Sequence, residues 1–221
     1  MALRRAAIYG GTFDPVHNGH LEVARRVLKL FALDEVIFVP ACVPPHKRNT
    51  GITSAFHRFA MLALAIEHDA GLSVSTIELD QPDRPYAVDT VGRMQEKLGS
   101  SCRLFFMMGA DSWLEFTTWR DWQRLLGMSD QIVMTRPGYP LEASSVDGAR
   151  IVDARGLGAD EIAALTDEVT GPGTFLSDAV FEKVSATEIR EAVRQGDGER
   201  LRQLVSSSVA GYIEKYGLYG K

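Results

Sequence analysis

The stretch GGTFDPVHNGH, residues 10–20, sets His17 and His20 three positions apart around a glycine. Side chains at that spacing share one face of a helix. Glycines ahead of them let backbone N–H groups approach an anion closely. Gly10 and Gly11 supply that opening, Thr12 adds a hydroxyl, Asp14–Pro15 makes a rigid turn, and Asn18 is placed to cap the following helix. Such a set suits phosphate. It is not the P-loop of nucleoside triphosphatases, which needs Gly-Lys-Ser/Thr, nor the dinucleotide fingerprint, whose Gly-x-Gly-x-x-Gly spacing is absent. The bland alternative is a turn with two incidental histidines. So many suitable residue types within one short stretch argue against it.

A second candidate lies near the far end. SATEIR, residues 185–190, reads as a capping box with Ser185 as N-cap and Glu188 three residues on. The remaining N–H groups of a capped helix still point at an anion, so capping and phosphate binding are compatible. Glu67, His68 and Asp69 are consecutive and do not converge as a metal site. Cys42 and Cys102, the only cysteines, share no motif. They form neither a disulfide framework nor a thiolate metal site, which fits a reducing cytoplasm.

These groups need a scaffold, and the chain alternates short apolar runs with helical patterns. AAIYG (6–10), EVIFVP (35–40), CRLFFMMG (102–109) and QIVMT (131–135) read as strands, and LSVSTIEL (72–79) is strand-like. Unbroken apolar runs of this kind belong to parallel sheets covered on both faces. Helical spacing marks 18–31 and a stretch from a Thr53 or Ser54 cap to His68, with a stripe of Phe56, Phe59, Ala60, Leu62, Ala63 and Ile66. A helix opening at Asp89 or Thr90 runs to about Leu98, and a short one covers 119–126. Residues 142–173 read as a variable connection with one strand, ARIVDA (149–154). The expected fold is α/β, a Rossmann-like doubly wound parallel sheet with a small C-terminal helical portion. The expected organisation is one domain over 1–221, with a core to about 180 and two or three helices over about 185–221.

Composition excludes several classes. A net charge of −5 argues against a binder of polynucleotide backbones, which calls for a broad basic surface. A small anionic ligand needs only a local positive pocket. Apolar runs such as AMLALAI (60–66) are too short for a membrane span, and the first residues lack the apolar run of a signal peptide.

The arrangement at 10–20 resembles the nucleotidyltransferase superfamily, whose signature is His-x-Gly-His after the first strand. In its fuller form it looks like the bacterial nicotinate-mononucleotide adenylyltransferases. Further segments match that family in order: VPPHK (43–47), RPYAVDT (84–90), GADS (109–112), TWRDW (118–122), RPGYP (136–140) and SATEIR. The resemblance spans nearly the whole chain. It implies that His17, His20 and Arg190 are catalytic. It places ATP against Gly10, Gly11, Thr12, Gly109, Asp111, Ser185, Thr187 and Arg190. The mononucleotide would meet His46, Lys47, Tyr86, Ala87, Thr90, Trp119 and Arg120, while Trp122 stays in the core. The chain departs from the pattern at Ala41 and Cys42, where asparagine is common, and at Ala87, where a hydroxyl residue is frequent.

The implied reaction joins the adenylyl group of ATP to nicotinic acid mononucleotide, releasing pyrophosphate and giving nicotinic acid adenine dinucleotide, a precursor of NAD. Mg²⁺ is the expected cofactor, held mainly by substrate phosphates rather than a carboxylate cage. Alternatives are a relative acting on nicotinamide mononucleotide or phosphopantetheine, and a nucleotide-binding regulator without turnover. The motifs at 84–90 and 118–122 argue against phosphopantetheine.

Overall fold

A computed structural model describes residues 3–42, 51–81, 85–135, 146–179 and 184–220. In chain order, β1 (Arg4–Gly11), α1 (Asn18–Leu30), β2 (Glu35–Pro40), α2 (Ala55–Ala65), β3 (Leu72–Val74), α3 (Ala87–Leu98) and β4 (Cys102–Gly109) form the first part. There follow α4 (Ala110–Leu114), a 3-10 turn (Phe116–Thr118), α5 (Trp122–Met128), β5 (Asp130–Met134), β6 (Ile151–Asp153), α6 (Ala159–Glu168) and β7 (Thr174–Ser177). The chain ends in α7 (Ala186–Gln195), α8 (Gly198–Leu204) and α9 (Ser207–Tyr216).

The strands form a parallel sheet in the order β3-β2-β1-β4-β5-β7-β6. β4 shows why its sequence is apolar throughout. Phe105 and Met107 face a core with α1, α2 and α6–α9, whereas Leu104, Phe106 and Met108 face another with α3, α4 and α5. Both faces are covered, so alternation disappears. Each fully buried side chain of this size stabilises the fold by about 1.5–3 kcal/mol.

The chain departs from its sequence pattern in five places. The strand expected over 72–79 stops at Val74, because Ser75 Oγ accepts from Ile77 N–H and Thr76 O accepts from Leu79 and Asp80, closing a turn. α3 starts earlier than expected, since Asp89 sits inside it and its carboxylate accepts from Tyr86 N–H at 3.1 Å. The short helix expected over 119–126 is shifted onward to Trp122–Met128. α6 lies within 142–173, where only a connection with one strand was expected, and β7 follows directly after it, where no strand was assigned. On α2, Phe56 is exposed and the buried face is Arg58, Met61 and Leu62. Ser54 caps that helix, accepting from His57 N–H.

Candidate active site

The chain leaves β1 toward β2 on one side, while β4 continues toward β5 on the other. This reversal opens a crevice beyond the C-terminal ends of β1 and β4. It holds a cavity of about 640 Å³. Ile8 to Thr12 line it together with Phe106 to Ser112 from the adjacent strand and the helix that follows. Pro85, Tyr86, Ala87 and Thr90 close one end with Thr118, Trp119 and Arg120.

Backbone geometry explains the glycine-rich turn. A Cβ on Gly11 would lie 2.8 Å from the Phe13 ring, and one on Gly19 would lie 3.2 Å from His17 Nδ1. Phe13 holds a left-handed conformation, φ 49°, which is uncommon for an aromatic residue. Its ring packs edge-on against Tyr9, His20 and Phe38, and that burial offsets the local strain.

The two histidines cap α1 themselves. His17 Nδ1 accepts from His20 N–H, and His20 Nδ1 accepts from His17 N–H, both at 3.3 Å. His17 is therefore the N-cap in place of Asn18, whose amide instead donates to Gln203 O at 2.9 Å. The rings stack with centroids 3.6 Å apart. Each Nδ1 faces a backbone donor, so the ring proton resides on Nε2. Burial lowers the His17 pKa to about 4, with Glu188 opposing. Burial, and then the neighbouring His17, hold His20 well below its ordinary value. At neutral pH both rings are uncharged, each with an Nε2–H available to an oxyanion.

The C-terminal motif meets the same turn from outside. Ser185 Oγ accepts from Glu188 N–H, as a cap should. The Glu188 carboxylate pairs with Arg200 rather than closing the box. Arg190 donates to Asp14 O at 2.7 Å and to Thr187 Oγ1 at 3.1 Å. Tyr219 donates to Asp14 Oδ1 at 2.7 Å. Ser185, Thr187 and Arg190 thus stand beside the loop and do not line the 640 Å³ cavity, whereas Gly10, Gly11, Thr12, His17, His20, Gly109 and Asp111 do. Tyr86, Ala87, Thr90, Trp119 and Arg120 also line it, with Arg120 Cζ 4.7 Å from the Tyr86 ring centroid. Trp122 is half-buried and packs on Phe116. His46, Lys47, the VPPHK loop, Arg84 and RPGYP lie outside the described residues.

Three residues that the motifs do not mark also reach this region. Arg58 is 1% exposed and bonds to carbonyls of both loops, Glu78 lines the cavity, and Tyr219 braces Asp14. A lone arginine inside an apolar helix is the only signal sequence offered for Arg58. Glu78 accepts from Thr90 Oγ1 at 2.8 Å, and burial raises its carboxyl pKa.

Comparison with known proteins gives a consistent picture. The cytidylyltransferase-like family matches residues 8–192. A protein of Thermoanaerobacter sp. (strain X514) described as "Probable nicotinate-nucleotide adenylyltransferase" is 40% identical, with 98% of this chain and 95% of that protein aligned. One of the same description from Stenotrophomonas maltophilia (strain K279a) is 41% identical, covering 96% and 95%. In three dimensions the chain resembles Plasmodium falciparum nicotinic acid mononucleotide adenylyltransferase complexed with NaAD, with TM-score 0.72, 18% identity, and coverage of 98% and 97%.

Proposed function

The chain belongs to the cytidylyltransferase-like family, and we infer that within it the protein is a nicotinate-nucleotide adenylyltransferase. It joins the adenylyl group of ATP to nicotinic acid mononucleotide, giving nicotinic acid adenine dinucleotide for NAD biosynthesis and releasing pyrophosphate. The observation that carries this reading is the self-capped histidine pair on the wall of the crevice between β1 and β4.

A phosphate monoester has a second pKa of about 6, so the nucleophile is already ionised at neutral pH. No general base is required. One mononucleotide phosphate oxygen forms a bond to the α-phosphorus, the bond from that phosphorus to the bridging oxygen breaks, and pyrophosphate leaves with the electron pair. Catalysis then consists of alignment and stabilisation of phosphate charge.

In our reading the Nε2–H groups of His17 and His20 donate to the α- and β-phosphates, where charge builds as the bond breaks. Gly10, Gly11 and Thr12 offer backbone donors. Gly109 and Asp111 meet the nucleoside. Ser185, Thr187 and Arg190 hold the leaving end; two donors of Arg190 are engaged, and the guanidinium has five. Tyr86, Ala87, Thr90, Trp119 and Arg120 border the mononucleotide, joined by His46 and Lys47. Their shared lining of one end of the cavity supports the grouping of the first five.

No group of three or more metal-ligating side chains occurs among the described residues. That donor set fits an ion carried in on the phosphates rather than a resident cage, and Mg²⁺ is the ion we assign. Bound there, it would neutralise charge on the leaving pyrophosphate. No helix among the described residues is long and apolar enough to cross a membrane. We place the enzyme in the cytoplasm, where its two nucleotide substrates are available.

Pyrophosphate release with ATP and a panel of acceptors tests the assignment. Nicotinic acid mononucleotide should exceed the nicotinamide form by at least about tenfold in kcat/KM, since a carboxylate satisfies N–H donors that a carboxamide leaves partly unpaired. Equal use of both would refute the acid preference. Faster reaction with phosphopantetheine would reassign the substrate, and ATP binding without turnover would indicate a regulator.

A further inference from the structure

Arg58 lies in the first turn of α2, behind the two loops that border the cavity. Its Nε donates to Thr53 O at 3.0 Å and its Nη1 to Thr12 O at 2.6 Å. Nη2 donates to Ala41 O at 2.6 Å and Cys42 O at 3.1 Å. One planar fork thus holds carbonyls of the glycine-rich loop, the end of β2 and the entry to α2. Burial lowers its pKa, with Asp14 the largest opposing influence, yet an arginine stays charged.

The consequence for the cavity follows from peptide planarity, which sets each N–H opposite its C=O. Drawing Thr12 O toward Arg58 turns Phe13 N–H away from it. Drawing Ala41 O the same way turns Cys42 N–H to the opposite side. The carbonyls of Ala41 and Cys42 are both held by one nitrogen of the buried guanidinium. Ala41 N–H also donates to Gly11 O at 2.9 Å, tying the two loops directly. Thr12 and Ala41 both line the cavity.

We propose that Arg58 is a positioning residue for the transfer step, fixing the separation between the triphosphate loop at Gly10–Thr12 and the mononucleotide-side segment at Ala41–Cys42. It touches neither substrate. It sets the distance and angle at which the nucleophilic oxygen meets the α-phosphorus. This rests on the adenylyltransferase reading.

Arg58→Lys keeps the charge, but a single ammonium cannot span three segments. Its kcat should fall roughly 10²-fold, the scale of a small misalignment. Separately measured Kd values for ATP and for the mononucleotide should move less than about threefold, because each loop keeps its own donors. Adding guanidinium to Arg58→Ala, well below its melting temperature, should restore part of kcat per folded molecule. A folded Arg58→Lys with wild-type kcat, or one whose kcat tracks only the folded fraction, overturns the proposal. If the lysine variant does not fold, Arg58→Gln, which keeps two N–H donors, takes the same measurements. Amide hydrogen exchange at Ala41, whose N–H ties the two loops through Gly11 O, should accelerate in the folded variant. That readout is independent of the acceptor, so failure of the functional reading would leave it standing. Unchanged exchange at Ala41 overturns the clamp whatever the reaction.

Discussion

Residues 10–20 grow directly out of β1, an interior strand, whereas Arg190 reaches the same turn from 176 positions downstream. The first inherits its geometry from the register of β1 against β2 and β4. The second inherits it from docking: Ile189, Leu201, Leu204, Val209 and Ile213 bury against the α1–α2 side of the sheet. Arg190 and Tyr219 then tie that helical unit to Asp14, and Asn18 ties it back through Gln203 O. One phosphate element is therefore the direct continuation of an interior strand, and the other is carried on a separately packed layer. Changes in the first should act mainly on chemistry, and changes in the second should divide between chemistry and stability.

The largest expected effect tests the loop. His20→Ala removes a donor whose contact strengthens as charge develops, so kcat should fall about 10²–10³-fold, with a smaller loss of ATP affinity. Steady-state kinetics and ATP titration of the folded variant check it. Wild-type turnover would remove the basis for contrasting the two regions.

Arg190→Lys probes the docked layer. Lysine loses the fixed fork, and kcat/KM for ATP should fall about tenfold. Because the arginine also holds Asp14 O, the variant should lose about 1 kcal/mol of stability by denaturant unfolding. A stability loss with unchanged activity per folded molecule would make Arg190 purely structural.

The third test is pH. The folded-state pKa of His17 lies near 4, below its unfolded value of about 6.5. Between those values the unfolded chain binds the extra proton, so this contribution is complete above about pH 6.5 and is lost as pH falls toward 4. Bound phosphates would oppose the shift by favouring imidazolium. The rise in melting temperature caused by ATP should therefore grow from pH 7.5 to 5.5 in the wild type relative to His17→Gln. Parallel curves for the two proteins would show that the phosphates do not sense this ring.

The smallest effect isolates the docking contact. Tyr219→Phe deletes the hydrogen bond to Asp14 and should cost about 0.5–1.5 kcal/mol in stability. Its kcat should stay within about twofold of wild type. A much larger fall in kcat would mean that the C-terminal layer sets the loop's geometry as strongly as β1 does.

Sequence marked the central strands because a strand covered on both faces is apolar at every position. EVIFVP and CRLFFMMG were legible residue for residue as β2 and β4. β7 was not: its end residues, Thr174 and Ser177, are polar yet fully buried, and Thr174 Oγ1 finds its partner on Gln131 in the next strand. α6 was hidden because only Ile162 and Thr166 are buried, too few to show a stripe. The histidines and their glycines were legible because the group is contiguous in sequence. Arg58 and Tyr219 were not, since their roles depend on main-chain or side-chain oxygens brought together from distant segments. The stripe assigned to α2 held at Leu62 and Ile66, which are buried, and failed at Phe56, with Arg58 taking the buried place in the first turn. Four carbonyls satisfy a buried guanidinium, and Phe56 is left outside.

The self-capped histidines also constrain how such a site can change over generations. Replacing either one removes the side-chain acceptor of the other's backbone N–H, so a single substitution damages two positions at once. His17 and His20 therefore secure the start of α1 together, although each is encoded separately.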